Sequence, residues 1–265
     1  MFDLFGKKRR RRETLRKQPF PAAWRAILEE SVPHFKYLEP DDQDELQGHI
    51  QVFLDEKVFE GCGGLVITDE IRLTVAAYAC LMILHRDTDY YPKLVTILVY
   101  PSAFVAEKTQ QGPGRLIIHG EETRVGESWD RGVVILAWDD VLESLETPTE
   151  GHNVIVHEFA HQLDQENGTG DGYPDLDDEE LMAAWPEVFQ VEYDRLLEDL
   201  EENRETFFEP YAAESPAEFF AIAVEYFFVV PQDLEEAHPE LYEALMQYFQ
   251  QDPASYWNPW EEEAC

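Results

Sequence analysis

His152–Asp164 reads HNVIVHEFAHQLD, and the reading of this stretch decides the rest. No proline or glycine interrupts Asn153 to Glu166. Val154, Ile155, Ala160 and Leu163 fall at helical spacing, and Asn167-Gly168 is a stop signal. On a helix, residues four apart share a face, with Cβ atoms about 5–6 Å apart. His157 and His161 can then reach one metal ion from consecutive turns while the backbone stays fully hydrogen-bonded. Glu158 is held beside the ion without having to ligate it. This is the arrangement of a zinc peptidase, in which a carboxylate takes the proton of a water acidified by the ion. Two solvated histidines on an amphipathic helix would give the same letters, but the apolar context favours a site.

A catalytic zinc takes three protein ligands and keeps one position open. The extended metzincin pattern needs a histidine ten residues after His157; that position is Asn167, so the class is excluded. Two carboxylates compete for the third place. Asp171 lies in GTGDGY soon after the helix, and Glu218 lies in YAAESPAEFFA, Tyr211 to Ala221. Ser215-Pro216-Ala217-Glu218 is also a capping box with proline at the first helical position, so cap and ligand compete for one side chain. Glu214 precedes the helix start and is weaker. Glu225 shares a face with Glu218 two turns on and at most supports the site. Asp164, on the face of both histidines, is placed either to accept an imidazole N–H or to be solvated. His152 reads as a cap or a surface residue, and the remaining histidines have no metal spacing.

At 265 residues, 44% apolar, with 16 Phe, 12 Tyr and 6 Trp, the chain has material for a sizeable core. Three cysteines without a C-x-x-C pair argue against a disulfide framework and against cysteine-held zinc. The whole chain has 20 basic and 56 acidic residues. Eight basic and two acidic residues fall within 1–20, which leaves the body at −42. Such a field repels nucleic acid and anionic membrane and favours basic partners, and it also suits a salt-rich cytosol. Lys7–Arg12 is not followed by an apolar h-region, and Leu73–Leu84 is too short to span a bilayer, so a cytoplasmic location is expected.

Residues 1–18, with KKRRRR, read as a mobile basic arm, and 19–265 as one α+β domain. Helical spacing covers Pro21–Leu28, Asp41–Leu54 and Asp69–Leu84, the last a buried helix with Asp69 as its cap. Glu60–Gly64 reads as a turn. Leu94–Tyr100, Arg115–His119 and Gly132–Trp138 are β-branched and apolar, and read as strands of one small mixed sheet with Gly132–Trp138 at its edge. Helices follow at Asp139–Glu146, at the motif, from Pro186 to Leu200, at Pro216–Phe228 and at Leu234–Phe249, and then an irregular tail from Asp252.

HEFAHQLD, followed by YAAESPAEFFA and EYFF, resembles the Mlc titration factor A family of zinc-dependent peptidases. FLDEKVFEG, LVITDEIRLTVAAYACLMIL, ILVYPSAF and VVILAW are similar to the same family. The resemblance runs from about Phe20 to Phe249. It implies a zincin-like fold related to the anthrax lethal factor catalytic domain, with one Zn2+ per chain held by His157, His161 and Glu218. It also implies Glu158 as general base and Tyr211 as the oxyanion donor. Aminopeptidase-like cleavage of short peptides is the implied activity, and the glucose-responsive repressor Mlc the implied partner. Glu214 departs from the neutral residue the family often has there, and Asp171 stays open as the third ligand. The alternative is a non-catalytic protein that sequesters a transcriptional repressor. A complete catalytic set favours the peptidase, because a structural zinc normally has four protein ligands.

Overall fold

The computed structural model describes residues 2–102, 105–111, 117–123, 132–176 and 179–262. It is a mixed α/β structure, mostly helical, with a small parallel sheet. Val58–Gly61 (β1), Thr96–Tyr100 (β2) and Val133–Ala137 (β5) form that sheet in the order β1-β2-β5. The strands run in register with Phe59 opposite Ile97 and Ile97 opposite Val134. Val105–Gln111 (β3) and Ile117–Thr123 (β4) pair separately as an antiparallel hairpin. The expected single mixed sheet is therefore a parallel trio plus a hairpin. Residues 115 and 116 of the expected Arg115–His119 strand lie outside the described residues. β1 falls where a turn was expected to begin; its residues include a glutamate and a glycine, which mask strand character. Strand β5 is at the end of the described sheet, where Gly132–Trp138 was expected.

Parallel strands need a crossover, and Asp69–Leu81 (α5) supplies the one between β1 and β2. From Leu73 to Leu81 every α5 residue is buried, as a helix apolar on all faces must be. Its cap is Thr68, not Asp69: the Thr68 hydroxyl accepts from Ile71 N. The helices Ala22–Ser31 (α2), Pro33–Tyr37 (α3) and Pro40–Glu56 (α4) precede it. At the end of α4, Lys57 is buried and donates to the carbonyls of Tyr91 and Leu94 at 2.8 and 2.7 Å. Burial pushes its ammonium down to about 8.

The segment read as a basic arm is helical. Phe2–Arg16 form a helix (α1) that packs on α4. Arg12 holds it: its guanidinium is bidentate to Glu56 at 2.7 and 2.8 Å, bonds Asp89, and lies 4.6 Å over the Tyr90 ring. Lys8 pairs with Asp89 and Arg11 with Asp55. The acidic body supplies the partners that a solvated tail lacks.

Helices Trp138–Glu146 (α6), Val154–Asp164 (α7), Glu179–Glu201 (α8) and Pro216–Val229 (α9) build the rest, with Pro231–Ala237 (α10) and Pro239–Phe249 (α11). Pro186 sits inside α8 instead of opening it. The single helix expected over Leu234–Phe249 is broken at His238-Pro239, because proline cannot donate within a helix and disfavours the α conformation before it. The tail carries a short helix, Pro259–Glu262 (α12), and Trp257 is buried, its indole donating to Val229 O. Among the described residues Cys62 and Cys80 are free thiols, and no helix is long and apolar enough to cross a membrane.

Candidate metal site

Helix α7 starts at Asn153, whose side chain accepts from Val156 N at 3.0 Å. The helix packs against α9, α5 and β5. Phe159, between the two histidines, is fully buried with its ring centroid 4.9 Å from that of Tyr91 and 5.8 Å from that of Phe53. That apolar face fixes the rotation of α7 and turns His157 and His161 towards α9.

At the start of α9 the Ser215 hydroxyl accepts from Glu218 N at 3.2 Å. The Glu218 carboxylate does not complete the capping box among the described contacts; it turns to the histidines. Glu218 Oε2 lies 3.2 Å from His157 Nε2 and 3.3 Å from His161 Nε2, and the two Nε2 atoms are 3.2 Å apart. A tetrahedral ion with bonds of about 2.0–2.1 Å separates its ligand atoms by about 3.3 Å. The three edges match that figure. Oε2 is also buried and makes no aligned hydrogen bond, a costly state for a carboxylate oxygen unless something positive sits in front of it. The residues present therefore fit a zinc-sized cation.

The charges of the cluster are strongly coupled. Burial opposes ionisation of Glu218, but the two imidazoles outweigh it and hold the carboxyl well below its ordinary range. Burial also opposes charge on His157, yet Glu225 and Glu218 push that imidazole well above its usual value, while burial draws His161 down. Glu158 is 4% exposed; burial, with Glu218 and Glu225 nearby, pushes it up to about 8 against the pull of His157. Tyr211 is half-exposed, its ring centroid 6.3 Å from that of His157. Burial raises its phenol, and the charges of Glu218, Glu214 and Glu158 raise it further.

Glu225, expected at most to support the site, does support it. It is buried, accepts from His157 Nδ1 at 2.7 Å, lies 2.8 Å from His152 Nδ1, and accepts from Asn153 N at 2.7 Å. Its seven-residue offset from Glu218 was the available signal, since that spacing keeps one helical face. His152 is thus a partner of Glu225 and not a cap. Asp164 is not an imidazole acceptor: both its oxygens accept from Gly172 N, at 2.9 and 3.0 Å. Gly172 has φ of +81°, and a Cβ there would come within 2.4 Å of Pro216 O, so the loop after α7 fits against the start of α9 only with glycine. Asp171, the other candidate ligand, is exposed and hydrogen-bonded by Thr169. It is not among the ligand atoms that converge with the histidines among the described residues. Glu214 follows Tyr211 on the exposed rim.

Known proteins are similar to this chain over most of its length. An uncharacterized protein of Synechocystis sp. is 42% identical over 92% of this chain and 89% of its own length. A protein named Mlc titration factor A from Pectobacterium atrosepticum is 31% identical over 90% of this chain and 89% of its own. Its namesake from Yersinia enterocolitica is 28% identical over 92% and 90%. The model of a family described as glucose-regulated metallo-peptidase M90 matches residues 6–250, and with both histidines of the motif helix inside that match, the chain belongs to this family.

Proposed function

We propose that the chain is a zinc-dependent peptidase with a zincin-like fold and a gluzincin site, in which His157, His161 and Glu218 hold one Zn2+. The observation that carries this reading is the near-equilateral triangle of donor atoms, 3.2 to 3.3 Å on a side, with an orphaned carboxylate oxygen at one corner. Zinc there would supply Lewis acidity and acidify a water. Glu158 accepts a proton from the attacking water and returns it to the departing amine, a base turned acid. The Tyr211 hydroxyl donates to the oxygen that gains charge as the carbonyl carbon becomes tetrahedral. Glu225 keeps the proton on His157 Nδ1, so Nε2 presents its lone pair to the ion. A short peptide substrate adds as a strand to the edge at β5, and aminopeptidase-like action on it in the cytoplasm is the assigned activity.

The relatives named for titrating Mlc favour a second role beside the first: binding a Mlc-type repressor, a basic DNA-binding protein that suits the acidic body. One experiment tests both. Purified protein is assayed for zinc stoichiometry, for hydrolysis of aminoacyl-p-nitroanilides, and for binding to purified Mlc, with and without Glu158→Gln. One zinc per chain, and hydrolysis lost in the variant with metal retained, support the peptidase. Full hydrolysis in the variant, or no zinc in the native protein, overturns it. Mlc binding that survives the substitution assigns titration to a surface separate from turnover.

A further inference from the structure

Glu225 is 1% exposed, and its two oxygens face different partners. Oε1 accepts from His157 Nδ1 at 2.7 Å. Oε2 accepts from Asn153 N at 2.7 Å and lies 2.8 Å from His152 Nδ1. One carboxylate thus joins a histidine of the metal cluster to a histidine whose side chain is 50% exposed. The loop before α7 is shaped for that contact. Gly151 has φ of +78°, and a Cβ there would meet the Tyr226 ring and Val230 at 3.3 Å. The backbone therefore comes close to α9, and His152 is carried to the carboxylate.

A buried carboxylate needs a compensating charge. Once a cation takes Nε2 of His157, that ring is neutral. Among the described residues, the side chain left to carry positive charge against Glu225 is then His152. The Glu225 contact raises the His152 imidazole above its ordinary value against the pull of burial, with Glu209 adding to the rise and His157 opposing it. Asp140 on α6 feels the same imidazole. The Tyr226 phenol, which burial pushes up to about 12, stays neutral beside Glu225. We propose that His152 is a positioning residue that regulates the metal site, its imidazolium setting how strongly Glu225 pulls on the Nδ1–H of His157. A charged His152 draws the negative charge of the carboxylate to Oε2. The pull on His157 then slackens, and Nε2 becomes a poorer donor to the ion. The same charge also repels the ion directly. Loss of the proton from His152 reverses both effects, so the hold on zinc is trimmed from solvent without a change at any ligand. Such control rests on the reading of His157, His161 and Glu218 as zinc ligands.

The test compares the full chain with His152→Asn. Asparagine places its amide nitrogen near the position of Nδ1, so it keeps a donor on Glu225 and removes only the charge. Zinc alone is the probe, titrated against a chelator at about pH 6 and about pH 9, on either side of the imidazole's titration. His152→Asn is expected to bind zinc about fivefold more tightly than wild type at the lower pH, the effect of one screened unit charge. At the higher pH the two are expected to bind it equally. Proton NMR of the zinc-loaded chains gives a second readout, because a ring N–H proton moves downfield as its hydrogen bond shortens. The ring signal lost in Glu225→Ala but kept in His152→Asn belongs to His157, and at the lower pH it is expected further downfield in the variant. Weaker zinc in the variant marks a merely structural contact and overturns the proposal. Equal affinity at the lower pH, or a gap that persists at the higher one, overturns it too. A native chain that binds no zinc removes the metal site and this control together, whereas stoichiometric zinc with an unchanged variant removes the control alone.

Discussion

Glu225 accepts a 2.7 Å hydrogen bond from His157 through Nδ1, the ring atom opposite the one that faces Glu218. The same carboxylate also receives the backbone N–H of Asn153, the residue that caps α7. Ring orientation and helix start are therefore set by one buried acid on α9. Removing it leaves three groups without their acceptor. Glu225→Ala is expected to weaken zinc about 10- to 100-fold in a chelator competition. Glu225→Asp should recover part of the loss, because the charge returns at a shorter reach; an affinity equal to wild type in the alanine variant would show that the carboxylate orients nothing.

Tyr211 is held near the cluster but is half-exposed, so its hydroxyl contributes little to folding. Tyr211→Phe is expected to lower kcat about 10²- to 10³-fold while zinc content and KM stay close to wild type. Steady-state kinetics beside metal analysis separates this from a structural effect, which would move all three together.

Away from the histidine cluster, Glu45 accepts a hydrogen bond from His49 and lies beside His85. The His49 contact, working against burial, holds its carboxyl down at about 2. Because that value lies below the unfolded one, the stabilisation is complete above about pH 4.5 and is lost as pH falls towards 2. Glu45 is only half-buried, so the contribution is about 1 kcal/mol once screening is allowed for. Denaturant titrations from pH 6 to 2.5 should show Glu45→Gln closing on wild type as the pH drops; a constant gap would mean the pair does not titrate on unfolding.

Arg12 makes the best-formed ion pairs of α1 and is 13% exposed. Arg12→Ala is expected to cost about 2 kcal/mol and to raise amide hydrogen exchange across residues 6–16. Added salt should reproduce part of that effect in the native chain, since the flanking pairs of Lys8 and Arg11 are exposed and screened. Exchange that is insensitive to both would place the hold on α1 in its packing at Leu15 instead.

Helix α7 was legible because its signals are local: spacing four for two imidazoles, an uninterrupted run, a stop at Asn167-Gly168. The helix carrying Glu218 was legible through Ser215-Pro216 for the same reason. What escaped were pairings that only tertiary packing creates. Asp164 shares the histidine face, so spacing alone offered it as their partner, yet the Gly172 turn brings a backbone N–H closer. Glu225 reaches His157 only because α7 and α9 cross where they do. The order of α1 was hidden because a run of like charges reads as solvated until the facing acids are known, and those come from α4 and from Asp89. In the same way β1 was lost to its glutamate and glycine, and the break at Pro239 to the apolar period that runs through it.

The docked first helix also bears on solubility and shelf behaviour. Without residues 1–18 the remaining chain would carry −42 instead of −36, and Asp55, Glu56 and Asp89 would lose Arg11, Arg12 and Lys8, the cations they pair with. The amino-terminal segment thus acts as a built-in ballast against Coulomb swelling. A trimmed version should melt earlier in dilute buffer and regain most of the difference when sodium chloride or spermidine takes over the neutralising duty.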